Sequence, residues 1–388
     1  MKIVFVTYHN WDTSRQGGFH KFAEKCAREG HNVSFFSLQR PFYIALKNEE
    51  RLNIKVLFKL TKGLKYFIRN AVYPIVNFTW PSLKIPLPLS RYIPQYVNDW
   101  FNTHSLIPFW IFNKIRLSKT DIFVFESCDG LELFDKIAKF HPNAKLVYRP
   151  SDPIMIDGAP DYLVTMETKV LLKSNITVLV NEESLNLYRK HIPDFDKIIN
   201  YKIIPNGVDI EKYRLNYLCP PELSKKNTAL YVGARPIEWD LIIEAAKACA
   251  NINFVIVCPE RPNSNTLQMI NEQSNITYIP GIKPSEVPKW VTNCDVIIVP
   301  NPAKEYQRRP WGITAKYYQA MAARKPIVAF DDSDTLRDKG IEVCHSYNEF
   351  IETLKRVMDG THTKFYEFSG QEWDTVTKEM CDCIVTAD

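Results

Sequence analysis

Short apolar runs recur along this chain, spaced so that one helix fits between each pair. The first half carries them at 2–8, 32–37, 121–126, 145–148, 177–180 and 201–204, the second at 229–232, 254–257, 276–279, 296–299 and 327–330. Nearly continuous Val, Ile, Leu and Phe means strands buried on both faces. Helical stretches lie between them. Gly17-Gly18 opens one that runs through Arg28 and is stopped by Gly30; residues 238–249, 347–358 and 372–383 form others. This alternation predicts parallel sheets with helices on both sides. Each strand of the second set is followed by Gly, Pro, Asn or Asp, as expected where loops line a crevice at the carboxyl ends of such sheets. The turn Pro205-Asn206-Gly207-Val208-Asp209 separates the two sets. The expectation is an α/β chain of two Rossmann-like, doubly wound domains, 1–205 and 206–370, facing a central cleft. Residues 371–388 are expected to form a helix that packs back on the first domain.

A length of 388 residues suits two cores. A composition 45% hydrophobic and 24% charged excludes disorder, and a net charge of +5 is too small to argue for nucleic acid. Nine scattered cysteines without zinc-finger spacing read as reduced core thiols in a reducing compartment; Cys381 and Cys383 are the one close pair. His9, His20 and His31 lack a metal-binding spacing. The opening residues read as a strand rather than a signal peptide, and no run of about eighteen apolar residues occurs. Tyr8-His9-Asn10-Trp11 follows the first strand where a dinucleotide enzyme needs Gly-x-Gly-x-x-Gly, which argues against a dehydrogenase.

Between about 40 and 119 the alternation breaks into a basic, aromatic insertion. Lys55, Lys59, Lys62, Lys65, Arg69 and Lys114 are interleaved with Phe67, Tyr73, Phe78, Trp80, Trp100, Phe109, Trp110 and Phe112. Cations beside aromatics suit an anionic membrane surface; a helical hairpin with its apolar side in the core is the competing reading. Single-stranded nucleic acid is disfavoured, because no RNA-binding motif accompanies the patch.

The segment 311–329 is the most informative for chemistry. It reads as a glycine-marked loop, a short helix carrying Lys316 and Gln319 on one face, and a buried strand. A cation and an amide in the first turns of a helix, where free N–H groups and the dipole attract anions, suit a nucleotide diphosphate.

Motifs in order along nearly the whole chain resemble the GT-B glycosyltransferases: residues 17–33, Ile204-Pro-Asn-Gly-Val-Asp209, Tyr231-Val-Gly-Ala234, Pro280-Gly281, residues 294–300 and Lys316-Tyr-Tyr-Gln319 through Val328. Within that fold, Tyr148-Arg-Pro-Ser-Asp152 and Thr314-Ala-Lys-Tyr-Tyr-Gln319 are similar to the signatures of the xanthan-type (GumK-like) glucuronosyltransferase family. That resemblance implies an inverting, metal-independent enzyme with no cofactor. It would take a UDP-sugar, glucuronate favoured, to a lipid-linked or cell-surface glycan acceptor, at the inner face of the cell membrane. It makes Asp152 the general base, with Asp157 and Asp161 as alternatives. Lys316 would neutralise the diphosphate or meet a donor carboxylate. The Thr314 hydroxyl would meet phosphate or cap the helix, Ala315 would lie against the donor, and Gln319 would meet the ribose. Gly281 and Ile282 would read the uracil edge, and Arg235 the diphosphate. Gly17, Gly18, His20, Arg308 and Arg309 are candidate contacts to the acceptor or an acidic group. Asp332-Ser333-Asp334 resembles an acidic metal dyad and is discounted. Paired glutamates of the retaining relatives would fall on Trp311 and Gln319, which disfavours retention. A UDP-sugar epimerase of the same fold and a non-catalytic nucleotide-sugar-binding protein are the alternatives.

Overall fold

Strands buried on both faces need helical cover, and two parallel sheets provide the frame. The computed structural model describes residues 1–386 apart from 14–15, 38–45, 47–53, 86–88, 90–91, 156–158, 160, 235–236, 303–311, 334, 361–365, 367 and 369. The chain divides into two compact units. The first is Met1–Val180, Ser184–Pro205 and Thr377–Asp388; the second is Asn181–Glu183 and Asn206–Val376.

In the first unit the strands are β1 (Lys2–Thr7), β2 (Asn32–Ser37), β3 (Leu64–Tyr66), β4 (Ile75–Phe78), β5 (Ile122–Glu126), β6 (Lys145–Arg149), β7 (Ile176–Leu179) and β8 (Tyr201–Ile203). Among the described residues they form one sheet in the order β3-β4-β2-β1-β5-β6-β7-β8. All neighbours are parallel except β3, which runs antiparallel to β4 at the edge. The chain builds outward from β1 through β2 to β4, then returns past β1 to β5. The strand order therefore reverses between β1 and β5, the place where doubly wound sheets bind ligands at their carboxyl ends.

The segment 40–119 differs from the expected insertion. Ile75–Phe78 pairs with β2 in register, Phe36 against Phe78, so part of the segment belongs to the sheet. Phe78, Trp80, Phe109 and Phe112 are buried in the same core as Val4, Val6 and Phe125. The Trp80 indole N–H donates to the Ile107 carbonyl at 2.8 Å, which satisfies its one polar atom in the core. Other aromatics of the segment stay outside: Phe58, Phe67, Tyr92, Trp100 and Trp110 are exposed. Arg91, also in the segment, lies outside the described residues.

The second unit holds β9 (Thr228–Val232), β10 (Asn253–Val257), β11 (Ile276–Ile279), β12 (Val296–Pro300), β13 (Ile327–Phe330) and β14 (Glu342–Cys344). The order β11-β10-β9-β12-β13-β14 is all parallel and reverses between β9 and β12. Successive side chains go to opposite cores. Leu230, Val255, Ile297 and Ala329 enter one, while Tyr231, Phe254, Ile298 and Val328 enter the other. That period of two, apolar on both faces, is why these strands read as unbroken apolar runs.

The helix Trp373–Thr386 passes from the second unit to the first at Thr377. In the first unit the buried Cys381 sulfur lies 3.1 Å from that of Cys26 on the helix Gly18–Arg28. Among the described residues no helix is long and apolar enough to cross a membrane.

Candidate active site

The first unit presents Asp152 on the loop that leaves β6. Strand alternation sends its two preceding side chains opposite ways. The Tyr148 hydroxyl goes into the core and donates to Glu167 Oε1 at 2.6 Å. The Arg149 guanidinium goes to the other face. It donates to the carbonyls of Pro150 (2.8 Å) and Ile204 (3.2 Å) and lies 5.6 Å from the Phe22 ring centre. Burial lowers its pKa to about 10 against the pull of Glu126 and Asp152.

Two buried carboxylates then fix the loop. Glu167 accepts the Tyr188 hydroxyl and the backbone N–H groups of Ile154 (3.0 Å) and Met155 (2.5 Å), just beyond Asp152. Burial raises its pKa, opposed by those four donors. Glu126 closes β5 and accepts the Ser151 hydroxyl at 2.7 Å and the Thr7 hydroxyl from the end of β1. The Ser127 hydroxyl oxygen accepts the N–H groups of Ser151 (3.1 Å) and Asp152 (3.4 Å). Asp152 itself is exposed. The result is a solvent-facing carboxylate on a loop held from below, the arrangement a general base needs. Asp161 starts the helix Asp161–Lys173 and is exposed; Asp157 lies outside the described residues.

His20 has a different role from the expected contact. It is 1% exposed; Nδ1 accepts the Gly17 N–H at 3.3 Å and Nε2 lies 2.9 Å from the Asn10 carbonyl. Both ring nitrogens are thus spent on tying the loop after β1 to the start of the helix Gly18–Arg28, and burial lowers the imidazole pKa. Gly17 and Gly18 stand at that helix start, and a Cβ at Gly17 would meet nothing within 4 Å. His9 is the imidazole beside Glu126. Its Nε2 is 3.8 Å from Glu126 Oε1, and its N–H donates to the Thr7 hydroxyl at 3.1 Å.

In the second unit the helix Ala315–Ala322 follows Thr314, which caps it in extended conformation without a side-chain bond to the helix. The Thr314 hydroxyl is buried and has no partner among the described residues. Tyr317, Tyr318 and Met321 turn into the core, which leaves Lys316 and Gln319 half-buried on another face. Ala315 is exposed. Lys316 Nζ sits 4.9 Å from the centre of the Tyr231 ring, a cation held by the ring face. A Cβ at Gly233, just past β9, would overlap the Tyr231 hydroxyl, so this loop has to be bare. Before the helix, Gly312 has φ +64 and packs against the Glu183 carboxylate, which accepts the hydroxyls of Ser333 and Thr335. Gly281 has φ +110, where glycine alone is unstrained, and its N–H donates to the Ile279 carbonyl at 2.8 Å. Ile282 is half-buried against the core. Arg235, Arg308, Arg309 and Trp311 lie outside the described residues. Asp332 pairs with His345 Nδ1 at 3.6 Å, and Asp334 lies outside the described residues.

The comparisons agree with both halves. Residues 5–180 match the family model described as glucuronosyltransferase GumK, N-terminal domain, and residues 226–359 match glycosyl transferases group 1. The chain has the GT-B fold and is similar in its first half to the GumK-type family and in its second to the group 1 glycosyl transferases. A curated relative, UDP-glucuronate:glycolipid 2-beta-glucuronosyltransferase of Xanthomonas campestris pv. campestris, is 22% identical over 260 residues. That match takes in 66% of this chain and 59% of the relative. Among solved structures, sucrose-phosphate synthase from Thermosynechococcus elongatus has a TM-score of 0.64 at 11% identity, covering 98% of this chain and 97% of that one. Anabaena Alr3699/HepE, solved with UDP and glucose, has a TM-score of 0.63 at 11% identity, covering 99% and 95%. At such identities these structures speak for the GT-B fold.

Sequence reasoning missed Thr7, His9, Glu126, Ser127, Glu167 and Glu183. A Glu that closes an apolar strand, directly followed by Ser, was the available signal for Glu126 and Ser127.

Proposed function

We propose that this GumK-like protein transfers a sugar, glucuronate favoured, from a UDP-sugar to a lipid-linked or cell-surface glycan acceptor, with inversion and without a metal. The observation that carries the reading is the buried Thr314 hydroxyl without a partner among the described residues, one residue before a helix whose first turn bears Lys316. A hydroxyl, a cation and free helix N–H groups suit a diphosphate. Asp152 takes the proton of the acceptor alcohol, the alcohol oxygen bonds to the anomeric carbon from the face opposite UDP, and the bond from that carbon to the UDP oxygen breaks. Lys316 offsets the charge that builds on the departing diphosphate. The relative's glucuronate donor and glycolipid acceptor support the substrate classes.

Work at the inner face of the cell membrane is part of the same proposal. Exposed Ile54 and Phe58 share the helix Ile54–Lys62 with Lys55, Lys59 and Lys62, and Phe67 and Trp110 are exposed on the same unit. Apolar side chains among lysines suit anionic headgroups.

Calorimetry with UDP, UDP-glucose and UDP-glucuronate tests the donor half. Lys316→Ala should weaken UDP binding by about tenfold or more; equal affinity removes Lys316 from the site. Asp152→Asn should abolish transfer and leave UDP affinity intact. Sedimentation with anionic vesicles, before and after Lys55, Lys59 and Lys62 are changed to Gln, tests attachment.

A further inference from the structure

We propose that Glu126 is a positioning residue for the acceptor half of the site, governing Asp152 through its charge and through the Ser151 hydroxyl. The inference rests on Asp152 being the base.

Glu126 ends β5 where the strand order reverses, between β1 and β6. It is 2% exposed and cannot touch an acceptor. Its two oxygens are nonetheless committed toward the working surface, one to Ser151 beside Asp152 and the other to Thr7 at the end of β1. The charged and titratable groups that face it come from every neighbouring element: His9 beyond β1, Arg149 and Asp152 from the β6 side, and Cys128 on its own loop. Packing alone would favour an apolar or amide side chain here, because a buried carboxylate is costly. Burial lifts its pKa to about 7; Thr7, Ser151 and Arg149 pull it down, and Asp152 pushes it up. Near neutral pH the group therefore passes from a neutral acid to a charge beneath the base. That charge accepts the Ser151 hydroxyl more strongly than the neutral acid does, and so holds the residue next to Asp152 more firmly in place.

The first test needs no turnover. With glutamate labelled at the carboxyl carbon, the Glu126 resonance is assigned by its loss in Glu126→Gln, and its titration midpoint should fall in Asp152→Asn. An unchanged midpoint overturns the coupling. The second test reads UDP release from UDP-glucuronate, with octyl glucoside as acceptor probe. Glu126→Gln is isosteric with the neutral acid, so it should match the wild type at pH 6 and lag by about fivefold in kcat at pH 8, with KM for the donor unchanged. Glu126→Asp should recover part of the rise, and His9→Gln should keep it. A deficit equal at both pH values means a structural role and overturns the proposal. Loss of the rise in His9→Gln assigns the ionisation to His9 and also overturns it. If Asp152→Asn loses turnover while Glu126→Gln tracks the wild type at every pH, this inference fails and the base assignment stands. If Asp152→Asn turns over fully, the base assignment fails and takes this inference with it.

Discussion

Replacing Glu126 with Gln keeps the shape of the side chain and removes a buried charge, so the cost of that charge can be measured as stability. Burial raises the carboxyl from 4.5 to about 7. A folded pKa above the unfolded one has a definite sign. Between those values the unfolded chain gives up its proton while the folded chain keeps it, so stability falls as pH rises and levels off above 7. The gap corresponds to about 3 kcal/mol in full, of which roughly 2.5 kcal/mol develops between pH 5 and pH 8. Gln carries no such term. Glu126→Gln should therefore gain about 2.5 kcal/mol on the wild type from pH 5 to pH 8, or about 5–10 °C in the unfolding temperature of a unit this size. Glu132 is also raised to about 7, but it is present in both proteins and cancels from the difference. Thermal unfolding of both proteins at pH 5, 6.5 and 8, followed by tryptophan fluorescence, gives the comparison. A difference that stays constant across pH would refute a neutral-to-charged transition at Glu126.

Two further outcomes follow from the packing. Glu167→Ala strands the Tyr148 and Tyr188 hydroxyls and two loop N–H groups in the core. It should cost about 3–5 kcal/mol by urea unfolding and increase hydrogen exchange at Ile154 and Met155. Gly233→Ala drives a methyl group into the Tyr231 hydroxyl, so it should destabilise the second unit by about 1–3 kcal/mol and weaken UDP binding as the ring shifts under Lys316; unchanged affinity would separate Tyr231 from the donor site.

Most strands were legible because burial on both faces writes an unbroken apolar run, as in Val296–Pro300. β4 was not, because Asn77 interrupts it. The Asn77 amide is buried, donating to the Phe35 carbonyl and the Ser37 hydroxyl and accepting the Trp11 N–H, so a polar residue there is satisfied only by tertiary partners. β14 is three residues long, too short to show a period. The same contrast holds at the site. Asp152 and Lys316 sit in local motifs. Glu126 depends on pairing registers that set β5 between β1 and β6, across 119 residues of chain to Thr7. His20 misled because an imidazole one turn into a helix reads alike whether it meets a ligand or a backbone carbonyl.

The helix that changes unit at Thr377 constrains biosynthesis. Ribosomes deliver it after every described strand of both sheets, so the second sheet can close while the first unit still lacks this helix. Cys26 remains without its sulfur neighbour for all that time. A thiol-alkylating pulse during translation should label it, and the same pulse given after release should not.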